Sequence, residues 1–229
     1  MRSGHKNIKD QLTATTRKVS VKKHIVREEK SNYFDSANYW ETRYQNGGNS
    51  GDGSYGVLAE YKAEFINDFI KKNNITSLLE YGCGDCNQLE IIYCERIIGV
   101  DVSSECIQIC KNKLPNHNFF VLNKNKKLTK TKVDLTVSLD VLYHLIEDVV
   151  YENYIKNLFN SESKFIIIYS CNFENDGTFA KHVKPRKFTD HQFINQKYDL
   201  IHFEKNKYGD KENTDTYSMS DWYIYKIKE

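Results

Sequence analysis

From residue 75 onward the chain alternates between short apolar runs and longer polar or helical stretches. The runs are SLLEY at 77–81, IIGVDV at 97–102, FFVL at 119–122, LTVSL at 135–139 and FIIIYS at 165–170. Runs this short and this continuously apolar read as strands covered on both faces, separated by crossovers. Two further strand-like runs, 200–204 and 222–227, close the chain. The insert between them, KNKYGDKENTDTYSMSD, is too short for a crossover helix, so the pair is antiparallel. Upstream, 33–46 has the pattern of a short helix carrying Tyr39, Trp40, Arg43 and Tyr44. A second helix is predicted over 57–73, where Leu58, Tyr61, Phe65 and Phe69 recur every three to four residues. Between the two, GGNSGDGSYG holds five glycines in ten residues and reads as a loop needing unusual backbone angles. The expected fold is α/β: a doubly wound, Rossmann-like, mostly parallel sheet of seven strands. Its C-terminal edge is an antiparallel hairpin, and helices cover both faces.

A length of 229 residues fits one such domain. The expected organisation is a basic, flexible extension at 1–30 and a single domain at 31–229, within which 31–74 forms a lid of helix and glycine loop. No run approaches the eighteen or so apolar residues of a membrane span, and the N-terminus lacks a secretory apolar region. The expectation is a soluble, cytoplasmic protein without a membrane partner. Six cysteines in a chain this long are not a disulfide framework, and reduced thiols are expected. The net charge of +2 hides an asymmetry: residues 1–30 carry +6 and the rest −4. No aromatic residues are interleaved with the basic ones of that tail, which argues against a nucleic-acid partner.

One stretch, LLEYGCGDCNQL at 78–89, admits two chemistries. Cys83 and Cys86 form a C-x-x-C, with Cys106 and Cys110 further on, as in a metal site. Glu80, Gly82 and Gly84 instead form an acid and a glycine turn at the end of the first strand, where doubly wound folds bind their ligands. Asp101 ends the second strand twenty-one residues after Glu80, the usual place for a carboxylate that accepts ribose hydroxyls. A dinucleotide fingerprint would need a small residue where Asn87 stands. A carboxylate at Glu80 suits a ligand carrying ammonium and sulfonium charges better than a pyrophosphate. A four-cysteine metal site would have to break the turn, and Cys83 between the two glycines is a poor redox partner. No metal is expected, although His144, Glu147, Asp148 and His182 leave that question open.

EYGCGDC, followed by GVDVS and VDLTVSLDVLYHL, resembles the class I S-adenosylmethionine-dependent methyltransferases over roughly residues 33–229. The resemblance implies S-adenosyl-L-methionine as cofactor, with Glu80, Gly82 and Gly84 along its methionine part and Asp101 on its ribose. Val102 and Asn123 would flank the adenine, and Ser138 and Asp140 would face the amino end. Tyr39, Arg43, Ser50 and Gly51 would fold over it, Arg43 pairing its carboxylate. Cys86 departs from the family, standing where a third glycine is usual.

GGNSGDGSYGVLAEYKAEFIN, SLDVLYHLIED and HVKPRKFTD together resemble small single-domain members associated with glycan and polysaccharide biosynthesis. The acceptor this implies is a hydroxyl of a sugar or nucleotide-sugar, a poor nucleophile that needs a base. His144 is the favoured base, with Asp140 and His182 as alternatives. Tyr143, Lys184 and Arg186 are the candidate substrate contacts, the two cations clamping a phosphate or carboxylate. Two other readings remain: an RNA methyltransferase of cap type or otherwise, and a non-catalytic cofactor-binding subunit of a partner.

Overall fold

A computed structural model describes residues 33–122, 132–210, 212 and 216–229. The expected extension at 1–30 lies outside the described residues. Seven strands form one sheet: β1 (Ser77–Tyr81), β2 (Arg96–Asp101), β3 (Asn118–Val121), β4 (Leu135–Leu139), β5 (Phe165–Ser170), β6 (Tyr198–Glu204) and β7 (Asp221–Ile227). Their spatial order is β3-β2-β1-β4-β5-β7-β6. The first five pair in parallel, and β7 runs antiparallel to both β5 and β6. The last strand of the chain therefore sits inside the sheet, and β6 takes the edge. Burial follows: β5 is covered along its whole length, whereas β6 is exposed beyond Tyr198.

The longer helices are α1 (Ser36–Gln45), α2 (Gly56–Asn73), α3 (Ser104–Lys113) and α4 (Asp148–Phe159). Asp35 caps α1 by accepting from the Asn38 amide, and Ser103 caps α3 by accepting from Cys106. Leu78, Val137, Leu139 and Ile167 share one core with Ile66 and Ile70 of α2 and Ile107 of α3. Leu79, Tyr81, Ile166 and Ile168 share another with Ile155 and Leu158 of α4. Alternate residues of each central strand thus enter opposite layers. Trp222 of β7 anchors α2 to the sheet: its Nε1 donates to the Tyr61 hydroxyl at 2.9 Å, and its ring stacks on Phe65.

Candidate active site

The switch in connection direction around β1 leaves a crevice at the carboxyl ends of β1, β2 and β4, and a cavity of about 440 Å³ opens there. Its floor is the turn after β1. Gly82 has φ +80°, and a Cβ on it would meet the Val141 side chain at 2.6 Å. Gly84 has φ +52°, and a Cβ there would collide with Ser50 Oγ. Both positions need glycine for conformation and for close approach. Asp101 Oδ2 accepts from the Gly84 amide at 3.1 Å and Oδ1 from Ser103 at 3.0 Å. The second strand's acid therefore also shapes the first turn. Glu80 is 2% exposed, and its Oε2 has no partner among the described residues. Burial pushes its carboxyl up to about 8; Lys62 opposes the shift, and Asp101 and Asp85 add to it.

The glycine loop closes over this floor. The Ser50 amide donates to Asp85 Oδ2 and the Asp85 amide to Ser50 Oγ, each at 3.0 Å. Tyr44 OH lies 2.9 Å from Ser50 Oγ, and Tyr55 OH donates to Asp85 at 2.6 Å. Ser50, Gly51 and Arg43 all line the cavity. Arg43 Nε is engaged with the Asn49 carbonyl at 2.6 Å. Tyr39 stands one layer back from the lining, stacked on the cavity-lining His182 with ring centroids 5.1 Å apart.

At the other end, β4 leads into Asp140, which has φ +59°. Its Oδ2 accepts from Lys62 Nζ at 2.7 Å and its Oδ1 from Ser220 Oγ at 2.6 Å. Each oxygen thus already accepts one hydrogen bond. His144 follows on a single helical turn, Leu142–His144. Its Nδ1 lies 2.8 Å from the His182 carbonyl, which can only accept, so Nδ1 carries the proton and Nε2 the lone pair. Trp40 packs edge-on against His144, whose ring is parallel to that of His182. Burial lowers the His144 pKa to about 4 and also lowers that of His182. Tyr143, His144 and His182 line the cavity together.

Several expected residues stand elsewhere. Ser138 is fully buried on the α4 side, 2.7 Å from the hydroxyl of Tyr154, and stands behind that cavity-lining residue rather than in the lining itself. Lys184 and Arg186 do not form a clamp: both pair with Asp148, and Arg186 also donates to the carbonyls of Leu145 and Ile146. They tie the loop after β5 to the start of α4, outside the cavity lining. Val102 lines the cavity, and Asn123 lies outside the described residues. Glu147 and Asp148 do not join His144 and His182 as ligands: Glu147 accepts from the Ser36 amide and Asp148 is taken by the two cations. Nor are all the thiols reduced. Cys86 and Cys110 form a disulfide, with Cys83 Sγ 4.0 Å from Cys110 Sγ. Among the described residues these three are the only cluster of the metal-ligating type, and Cys106 is not part of it. Cys86 has φ +62°, the left-handed conformation that a third glycine would adopt freely.

Sequence reasoning missed Lys62 and Asp85. Lys62 did leave a signal, since it falls on the face of α2 that buries Ala59, Ala63, Ile66 and Ile70.

A doubly wound sheet with a glycine turn, an acid on the second strand and a crevice above them is the Rossmann-like arrangement that binds adenosine-type cofactors. The particular family follows from the sequence: the model described as a methyltransferase domain matches residues 72–218, and the chain belongs to that family. A search of curated proteins found no significant match. Among solved structures, the N-methyltransferase NodS from Bradyrhizobium japonicum, in complex with S-adenosyl-L-homocysteine, is similar with a TM-score of 0.62. Its identity is 14%, covering 86% of this chain and 100% of that one. Magnesium protoporphyrin IX methyltransferase from Synechocystis, with the same ligand bound, has a TM-score of 0.59 at 14% identity, covering 84% and 98%. The small RNA methyltransferase HEN1 has a TM-score of 0.55 at 19% identity, covering 78% of this chain and 26% of that one. At these identities the likeness is one of fold. No described helix is long and apolar enough to cross a membrane.

Proposed function

We propose that this methyltransferase uses S-adenosyl-L-methionine to methylate a hydroxyl oxygen of a sugar in glycan biosynthesis. The cofactor fits the residues present. Gly82, Gly84 and Asp101 line the cavity floor, Asp101 standing where ribose hydroxyls would donate, and the orphaned Glu80 oxygen suits an ammonium. When bound, the cofactor supplies an electrophilic methyl on sulfonium. The chain's part is to orient the acceptor, exclude water and receive a proton.

The observation that carries the acceptor reading is the unprotonated Nε2 of His144, backed by the His182 carbonyl beside Trp40 and Tyr143. A neutral imidazole carries the lone pair that a hydroxyl's proton needs, and it is position rather than basicity, which burial lowers, that suits His144 to the task. With Lys184 and Arg186 engaged by Asp148 and nearby carbonyls, the recognised part of the acceptor is the sugar itself rather than the diphosphate of a nucleotide-sugar. The test is a mass-shift screen of free and nucleotide-linked sugars with isotopically labelled cofactor. Methylation of a sugar hydroxyl supports the reading, and labelling of RNA alone overturns it.

A second reading, RNA methylation, is favoured by the fold shared with HEN1 and by the +6 charge of residues 1–30. It requires binding that weakens steeply with salt and depends on those residues. A sugar acceptor requires neither.

Glu80 yields a pH prediction. A carboxyl near 8 is mostly protonated at pH 7, and an ammonium placed beside it favours the ionised form. Cofactor binding at pH 7 should therefore release about one proton per site, with affinity rising as pH approaches 8. Calorimetry in buffers of different ionisation enthalpy measures this. Binding without proton release would remove the Glu80–ammonium pair.

A further inference from the structure

Lys62 stands on the buried face of α2, where the helical repeat calls for an apolar residue, and it is 1% exposed. A buried ammonium is costly unless fully matched. Its Nζ donates to Asp140 Oδ2 at 2.7 Å and lies 5.5 Å from the centre of the Tyr169 ring. Two of its three hydrogens have no acceptor among the described residues. In the same cavity Glu80 carries an oxygen with no donor, and the two groups are not paired with each other. A cation short of acceptors and an acid short of a donor, both buried and lining one cavity, describe the imprint of a zwitterion.

We propose that Lys62 and Glu80 together read the α-amino-acid head of the cofactor, Lys62 taking the carboxylate and Glu80 the ammonium. This rests on the S-adenosyl-L-methionine reading and deepens it. The carboxylate contact moves from Arg43, which is engaged with Asn49, to α2. Asp140 becomes a positioning residue: held by Ser220 Oγ, it fixes Lys62 Nζ. Gly53 of the glycine loop lies against Asp140, where a Cβ would come within 3.2 Å of Oδ2, so the loop covers this end of the cavity. A bland role for Lys62, as counter-ion to Asp140 alone, leaves its other hydrogens and the Glu80 oxygen unexplained.

The two roles separate on ligand chemistry. Dissociation constants are measured for S-adenosyl-L-methionine and for its decarboxylated analogue, which keeps the ammonium and lacks the carboxylate. The wild type should prefer the carboxylated ligand by about 10- to 100-fold. Lys62→Met should lose that preference, binding both ligands with similar weak affinity, whereas Glu80→Gln should weaken both. Because Lys62→Met leaves Asp140 without its partner, Lys62→Met/Asp140→Asn is measured alongside, with melting curves confirming that each variant is folded. The proposal is overturned if the wild type binds both ligands equally, or if folded Lys62 variants keep the preference. Failure of the wild type to bind either ligand overturns the cofactor reading instead.

Discussion

Replacing His144 with alanine should lower turnover by about a hundredfold to ten-thousandfold and leave cofactor affinity unchanged. The ring stands on the turn after β4, and its Nδ1 proton is fixed on the His182 carbonyl, so the lone pair of Nε2 is constant in place and direction. The alternatives are less well fixed: both Asp140 oxygens already accept hydrogen bonds, and no hydrogen bond among the described residues orients the ring nitrogens of His182. With burial holding the His144 pKa near 4, its unprotonated form prevails across neutral pH. Its protonation should therefore limit the rate only as pH falls toward 4. The same shift links to stability. An imidazole whose folded pKa lies below the unfolded value of 6.5 contributes fully above 6.5, and the contribution is lost as pH falls from 6.5 to 4. His144→Ala should flatten the stability curve in that window. If turnover survives the substitution, the base is His182 or lies outside the described residues.

Asp101→Ala should weaken cofactor binding by about a hundredfold or more, the loss expected when a buried charged acceptor is removed from two hydroxyl donors. The carboxylate has a structural duty too, because it holds the amides of Gly84 and Ser103 and so couples the glycine turn to the start of α3. Asp101→Asn keeps an acceptor oxygen but replaces the other with a donor, and should fall between wild type and alanine. Titration calorimetry with melting curves separates lost contact from lost fold. Unchanged affinity in a folded Asp101→Ala variant would mean that the ribose lies elsewhere.

The strands were legible because a parallel sheet buried on both faces writes each strand as a continuous apolar run, and β1, β4 and β5 begin and end where those runs do. The order of the last two was not. A hairpin signal says that β6 and β7 are neighbours, but which of them joins β5 depends on side-chain packing such as Trp222 against Tyr61. That Glu80, Gly82, Gly84 and Asp101 gather at one end of β1 and β2 was legible because strand ends and turns tie position to conformation. That Ser138 stands behind Tyr154 was not legible for the converse reason: when both faces are buried, an apolar run no longer shows which way a given side chain turns. Lys184 and Arg186 show that a cation's charge does not name its partner, here Asp148 and two carbonyls close to it. The Cys86–Cys110 bond spans 24 residues and depends on how α3 packs beneath the turn, which local spacing does not reveal.

The central claim, a methyltransferase built to bind S-adenosyl-L-methionine, is tested most directly by thermal unfolding of the full chain with and without the cofactor. At about 100 times its dissociation constant the cofactor should stabilise the fold by about 2.7 kcal/mol and raise the melting temperature accordingly, while NADH at equal concentration should not. A shift with NADH and none with S-adenosyl-L-methionine would contradict the account.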